Sequence, residues 1–183
     1  MLEPARKRHA PSAYILRKEA RYGLRPEADL WLDAAAFEQL IAEGDKLHRR
    51  DPVAAAPLYR QALALYHGDY LQAYPYEEWC LEEQERLSLL YLHTSERLAQ
   101  SLITQHAWDE TITVCQAILA RDNGWEAAYR LLLIAYDGLG QRTQVLATYA
   151  RCVEALQSRW DIAPAPETKK LYERILSGVS SKQ

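Results

Sequence analysis

The densest run of side chains that could do chemistry is Glu77–Glu85, where Glu77, Glu78, Glu82, Glu83 and Glu85 fall within nine residues. Paired carboxylates perform general acid–base work when their surroundings push their pKa values apart. On a helix these five scatter around the axis, and no His or Lys stands near enough to separate them. The run therefore reads as the acidic opening turns of a helix, favoured by the positive end of its dipole. His93 and Glu96 stand three apart, a spacing seen in helix-bundle metal sites, but no matching Glu-bearing partner helices accompany them. His48, His67 and His106 are isolated. There is no Gly-rich phosphate loop, no Gly-x-Ser-x-Gly elbow and no Cys-x-x-Cys. Cys80, Cys115 and Cys152 are an odd number, far apart and in apolar helical settings, which predicts buried thiols in a reducing compartment. The expectation is a protein that is not an enzyme, with no catalytic residue, no cofactor and no metal.

The charges say more than the candidate chemistry does. The chain of 183 residues has a formal net charge of −3, but residues 1–26 hold seven bases against two acids, a net of +5, so the remainder carries −8. A basic segment of this kind suits nucleic acid, whereas the acidic body does not. Residues 1–11 read as a tail. Ala13–Arg17 and Arg21–Arg25, rich in aromatic and aliphatic residues around the polar centre Lys18-Glu19-Ala20, predict a short β-hairpin. No apolar stretch approaches the roughly 18 residues of a transmembrane span, and no apolar stretch follows the basic start, so neither a membrane partner nor a secretory signal is expected.

The elements that must position these residues are helical. With 49% apolar residues and only 7 Gly, the chain can build a core and is poor in the glycines that β-turns want. Asp33 is the expected cap of a first helix reaching about Arg49. Asp51-Pro52 restarts the chain, with Pro at a first helical position where its missing N–H costs nothing, and the second helix is expected to end at Gly68. An aromatic loop (Tyr70, Tyr74, Pro75, Tyr76) interrupts, and a long helix from Trp79 to about Gln105 follows. Further helices are expected near Trp108, Trp125, Arg142 and Pro166–Leu176. Trp79, Trp108, Trp125 and Trp160 are expected to cover seams between helix pairs, and Trp31 to staple the start of the first helix. Ser95–Asn123 and Tyr129–Arg159 overlay with an offset of 34 residues: Leu98 on Leu132, Ala99 on Leu133, Leu102 on Tyr136, Thr111 on Val145, Cys115 on Tyr149, Ile118 on Cys152. That period and pattern match a tetratricopeptide helix pair, and Ala55, Tyr59 and Ala62 repeat its small–aromatic–small spacing. The fold expected is all-α, a tetratricopeptide-like, right-handed stack of about seven helices preceded by a short β-hairpin.

Several motifs occur in order: Asp33-x3-Phe37, Tyr59 through His67-Gly68-Asp69-Tyr70-Leu71, Glu78-Trp79, Gly138-Leu-Gly-Gln-Arg142, and Pro164-x-Pro166 before Leu171–Leu176. From about Trp31 to Leu176 the chain resembles the bacterial transcriptional activator domain, the helical module of streptomycete antibiotic regulatory proteins and related large regulators. In that family the module follows an OmpR-like winged-helix DNA-binding domain that ends in a β-hairpin wing. Tyr14–Arg17 and Arg21–Leu24 are similar to that wing. The resemblance thus implies that residues 1–30 are a basic tail and hairpin left from a winged-helix domain, that 31–177 are the activator module, and that 178–183 are a disordered tail. The recognition helix is absent, so the chain reads as a fragment of a longer cytoplasmic regulator, and alone it is expected to bind DNA weakly or not at all. Arg17, Lys18 and Arg21 are the expected DNA contacts in the full protein. The helical body is expected to meet protein partners (a second copy, the transcription machinery or neighbouring domains of the regulator), with candidate exposed positions on Ser95–Gln105 and Trp125–Tyr136 of the concave side. The alternative is a free-standing tetratricopeptide adaptor for a partner peptide. It lacks the Lys, Arg and Asn clamp that carboxylate capture wants, and it leaves the basic hairpin unexplained.

Overall fold

The computed structural model describes residues 10–28, 30–73 and 78–178. Most of the expected N-terminal tail, Tyr74, Pro75 and Tyr76 of the aromatic loop, Glu77, and residues 179–183 lie outside them. The chain divides into two compact units, Met1–Leu32 and Asp33–Gln183.

The first unit is built on an antiparallel hairpin of β1 (Ile15–Lys18) and β2 (Arg21–Leu24), joined at Glu19-Ala20. Glu19 takes a left-handed backbone conformation at φ 57°. One more backbone bond, Arg25 N–H to Tyr14 O at 2.8 Å, extends the pairing, and the Ser12 hydroxyl accepts from the Ile15 N–H at 2.8 Å.

The second unit holds α1 (Asp33–His48), α2 (Pro52–Leu65), α3 (Glu78–Thr104), α4 (Trp108–Arg121), α5 (Glu126–Gly138), α6 (Arg142–Trp160) and α7 (Pro166–Leu176). Asp51 caps α2 by accepting from the Ala54 N–H at 3.0 Å, with Pro52 at its first position. That helix ends at Leu65, three residues before Gly68, because Tyr66 leaves helical geometry at φ −86°, ψ 84°. Each helix packs on the next from α1 to α6, and α5 also packs on α3 and α7. This nearest-neighbour pattern is that of a repeat stack.

The 34-residue offset is a map of the core. Leu98, Leu132, Ala99, Leu133, Leu102, Tyr136, Ile118 and Cys152 are all buried. Thr111, the one polar member, is buried too; its hydroxyl is spent on the Ala107 carbonyl at 2.9 Å, one turn back. Tyr149 breaks the pattern by being only half-buried, and its ring stacks on Tyr172 of α7 at 3.8 Å, nearly parallel at 4°. In the first pair, Ala55, Tyr59 and Ala62 are fully buried. Gly44 lets α1 approach Tyr59: a Cβ there would lie 2.7 Å from the ring. At the far end α7 turns Glu167, Lys169, Lys170, Glu173 and Arg174 outward and closes the stack.

The tryptophans divide. Trp108 lies against Gly138, and Trp160 lies over Gly124, where a Cβ would sit 2.2 Å from its ring. Trp125 bridges α5 to α3. These three cover seams as expected. Trp79 does not: it is 68% exposed, because Cys80 and Leu87, seven residues apart, take the inward side of α3 and turn Trp79 outward. Trp31 is 71% exposed, and within the helical unit Phe37 of α1 packs against Tyr66, with ring centroids 5.6 Å apart.

Candidate nucleic-acid and partner interfaces

The hairpin register sorts the three expected DNA-contacting residues. Lys18 stands opposite Arg21, so these two share one face with Leu16 and Gly23. Arg17 stands opposite Tyr22 on the other face, its guanidinium 5.6 Å from the ring centroid, while its Nε donates to the Glu19 carbonyl at 3.1 Å. Two of the three residues are thus brought together and the third is turned away. Arg25 holds the strand ends by donating to the Ser12 carbonyl at 2.7 Å. Tyr22, 70% exposed, is a second surface feature of that other face; strict alternation along β2 is the sequence signal that singles it out.

In the helical unit the expected partner positions on Trp125–Tyr136 are corrected. No residue of that segment is fully exposed, because α5 is enclosed by α3, α4, α6 and α7. On Ser95–Gln105 only Gln100, Thr104 and Gln105 are exposed. The polar groups that remain between these helices are engaged with one another. Trp125 Nε1 donates to Glu96 at 2.9 Å, and His93 meets the Trp125 ring edge-on at 4.9 Å, so the His93–Glu96 pair braces α5. Glu126 accepts from the Ala165 N–H at 2.8 Å and the Thr168 hydroxyl at 2.5 Å, and Arg130 donates to the same hydroxyl at 3.2 Å. Arg97 pairs with Asp45, which also accepts from the Tyr59 hydroxyl at 2.8 Å. Arg97 and Arg130, the arginines of these two segments, are therefore already bound.

One constellation mimics a hydrolase: Asp45, His48 and Ser101, with Ser101 Oγ 3.4 Å from His48 Nδ1. Ser101 is fully buried and donates to the Arg97 carbonyl at 3.0 Å, which gives it neither a free proton nor access to substrate. Burial, helped by the Arg97 charge, holds the His48 imidazole below its usual value, with Asp45 opposing. Burial pushes the Tyr59 phenol well up, reinforced by its bond to Asp45. Burial likewise pushes the Cys115 and Cys152 thiols up to about 12, the opposite of an activated nucleophile. Among the described residues no three His, Cys, Asp or Glu converge on a metal position, and no helix is long and apolar enough to cross a membrane.

What the helical unit offers instead is surface. An open groove of about 640 Å³ runs beside α3, with Glu85, Ser88, Leu89 and Leu92 on one side and Asp69 and Arg121 among its other lining residues. Arg121 pairs with Asp69 and lies 5.0 Å from the Tyr66 ring centroid and 5.1 Å from that of Tyr91, tying the loop after α2 to the end of α4.

Comparison with known proteins bears on what such surfaces serve. A family described as the bacterial transcriptional activator domain matches residues 32–176. The regulatory protein AfsR of Streptomyces coelicolor is 28% identical over 169 residues, covering 88% of this chain and 16% of that protein. AfsR of Streptomyces griseus is 25% identical over 163 residues, with the same 88% and 16% coverage. The chain thus spans about a sixth of the length of these relatives. Among solved structures, Mycobacterium tuberculosis EmbR in complex with a low-affinity phosphopeptide superposes with a TM-score of 0.75 at 19% identity, over 91% of this chain and 44% of that one. At that identity the likeness speaks to the fold.

Proposed function

We infer that this chain, which belongs to the bacterial transcriptional activator domain family over residues 32–176, is the protein-interaction module through which a bacterial transcription activator dimerises or relays a signal. The observation that carries the reading is the order along the chain: a basic, exposed antiparallel hairpin, then a helical stack whose polar groups brace its own helices. Such a stack offers surface and not chemistry. The regulatory relatives support the same reading.

In this reading residues 1–30 are the end of a winged-helix DNA-binding domain that lies mostly upstream, residues 31–177 are the activator module, and 178–183 are a tail. Lys18 and Arg21, side by side, contact phosphates or the minor groove, and Arg17 adds a contact from the other face. The partners are a second copy, the transcription machinery or neighbouring domains of the regulator, and the regulator works in the cytoplasm. DNA is bound by the full-length protein, with this chain contributing a minor share.

Titration of a fluorescent DNA duplex at low salt tests the hairpin's role. Weak binding without sequence preference is expected. Lys18→Ala with Arg21→Ala should weaken it evenly across sequences and lower the salt slope by about one per lost phosphate contact. A slope and affinity equal to those of the native chain would take the hairpin out of the DNA interface.

A further inference from the structure

The charge imbalance of the chain condenses into two short blocks. Residues 1–26 carry a net of +5, while residues 77–85 hold five glutamates and no base, so everything else sums to only −3. The structure gives each block a shape. Along α3, Glu78, Glu82, Glu85 and Leu89 recur at helical spacing on one outward stripe, and all four are exposed. Glu83, off that stripe, is the one engaged by Arg86, which lowers its carboxyl pKa. Glu85 and Leu89, the latter 51% exposed, also line the groove of about 640 Å³ described above, so the stripe runs into a concavity with an apolar wall. On the hairpin, the register sets Lys18 beside Arg21 with Leu16, 43% exposed, on the same face. One surface thus presents carboxylates and a leucine in a groove; the other presents two cations and a leucine on a narrow two-stranded ridge.

We propose that the groove beside α3 receives the Leu16–Lys18–Arg21 face of the hairpin from a second copy of this chain. The proposal rests on the reading of the helical unit as a self-association module, and it names the surface. Both halves of the contact are present in every copy, so a two-fold dimer would make it twice. Leu16 meets Leu89, while Lys18 and Arg21 meet Glu82 and Glu85. Exposed ion pairs contribute little each, so the dimer is weak and salt-sensitive. DNA phosphates compete for the same two cations, which makes dimer and DNA-bound hairpin alternatives in this chain.

Sedimentation of the full chain with a charge-swap pair tests this. The native chain should dimerise at low salt, with an apparent dissociation constant that rises by about tenfold or more at high salt. Lys18→Glu with Arg21→Glu should be monomeric, and so should Glu82→Lys with Glu85→Lys; mixing the two variants should restore a dimer. All the exchanged side chains are exposed, and unchanged helical circular dichroism would show that the variants fold. If both variants dimerise as the native chain does, self-association stands but uses another face, and this groove is ruled out. If the native chain stays monomeric at every concentration, self-association itself fails with it. Salt-dependent Trp79 fluorescence at monomer mass, abolished by Lys18→Glu with Arg21→Glu, would show uptake of the hairpin within one copy and overturn the proposal.

Discussion

At the scale of single residues, the most consequential group is His48, where α1, α2 and α3 meet. Its ring lies 5.8 Å from that of Tyr59 and touches Ser101, and Asp45 and Arg97 set the local field. The fold holds its pKa below the unfolded value of 6.5, so the native state favours neutral imidazole. Above that value His48 carries no penalty. As pH falls through it, the unfolded chain takes up the proton first and stability drops until the native pKa is passed. Urea denaturation at about pH 7.5 and 5.5 should therefore show a larger loss for the native chain than for His48→Gln. Equal losses would place the pH sensitivity elsewhere. None of this was legible in the sequence, where His48 is an isolated histidine at a helix end. Its setting is made by Arg97 and Ser101, about fifty residues away.

At the scale of elements, α7 is held by a polar lock beside the apolar packing of Leu171, Tyr172 and Ile175. Thr168 is fully buried, donates to Glu126 and accepts from Arg130, and Glu126 also receives the Ala165 N–H. Thr168→Val keeps the shape and leaves Glu126 and Arg130 short of a partner, a loss of about 1–3 kcal/mol. Hydrogen exchange should speed up in α7 and leave α1 and α2 unchanged; a uniform change across the molecule would mean that α7 is not a separate unit of opening. The helices themselves were readable because caps and apolar spacing are local: Asp51-Pro52 and Pro166 start α2 and α7 where the sequence places them. The facing of individual residues was harder. Trp79 was expected to cover a seam, but one step of about 100° decides between Cys80 inside and Trp79 outside. The enclosure of Trp125–Tyr136 depends on α7 packing against α5, a contact that no local pattern announces.

At the scale of the whole molecule, Cys115 and Cys152 report on global opening. Both are fully buried on successive helix pairs, and both thiols are pushed up to about 12 by burial. A thiol reagent at neutral pH should label them together, only at urea concentrations that unfold the stack. Labelling of Cys152 well before Cys115 would show the C-terminal pair opening by itself. Composition locates the basic block of the hairpin, but only the register separates Lys18 and Arg21 from Arg17.

The pairing of Tyr149 with Tyr172 carries a further consequence, for how long such a stack can grow. Tyr149 occupies the place that Cys115 holds one repeat earlier, where a following helix pair would ordinarily press. Tyr172 has already taken that place at 3.8 Å, and the far side of its helix is charged. Duplicating a repeat at the chain's end would strand Lys169, Lys170 and Arg174 in an apolar seam. Growth of the stack past α7 is therefore disfavoured, and a longer module of this design would take its extra pairs ahead of Pro164.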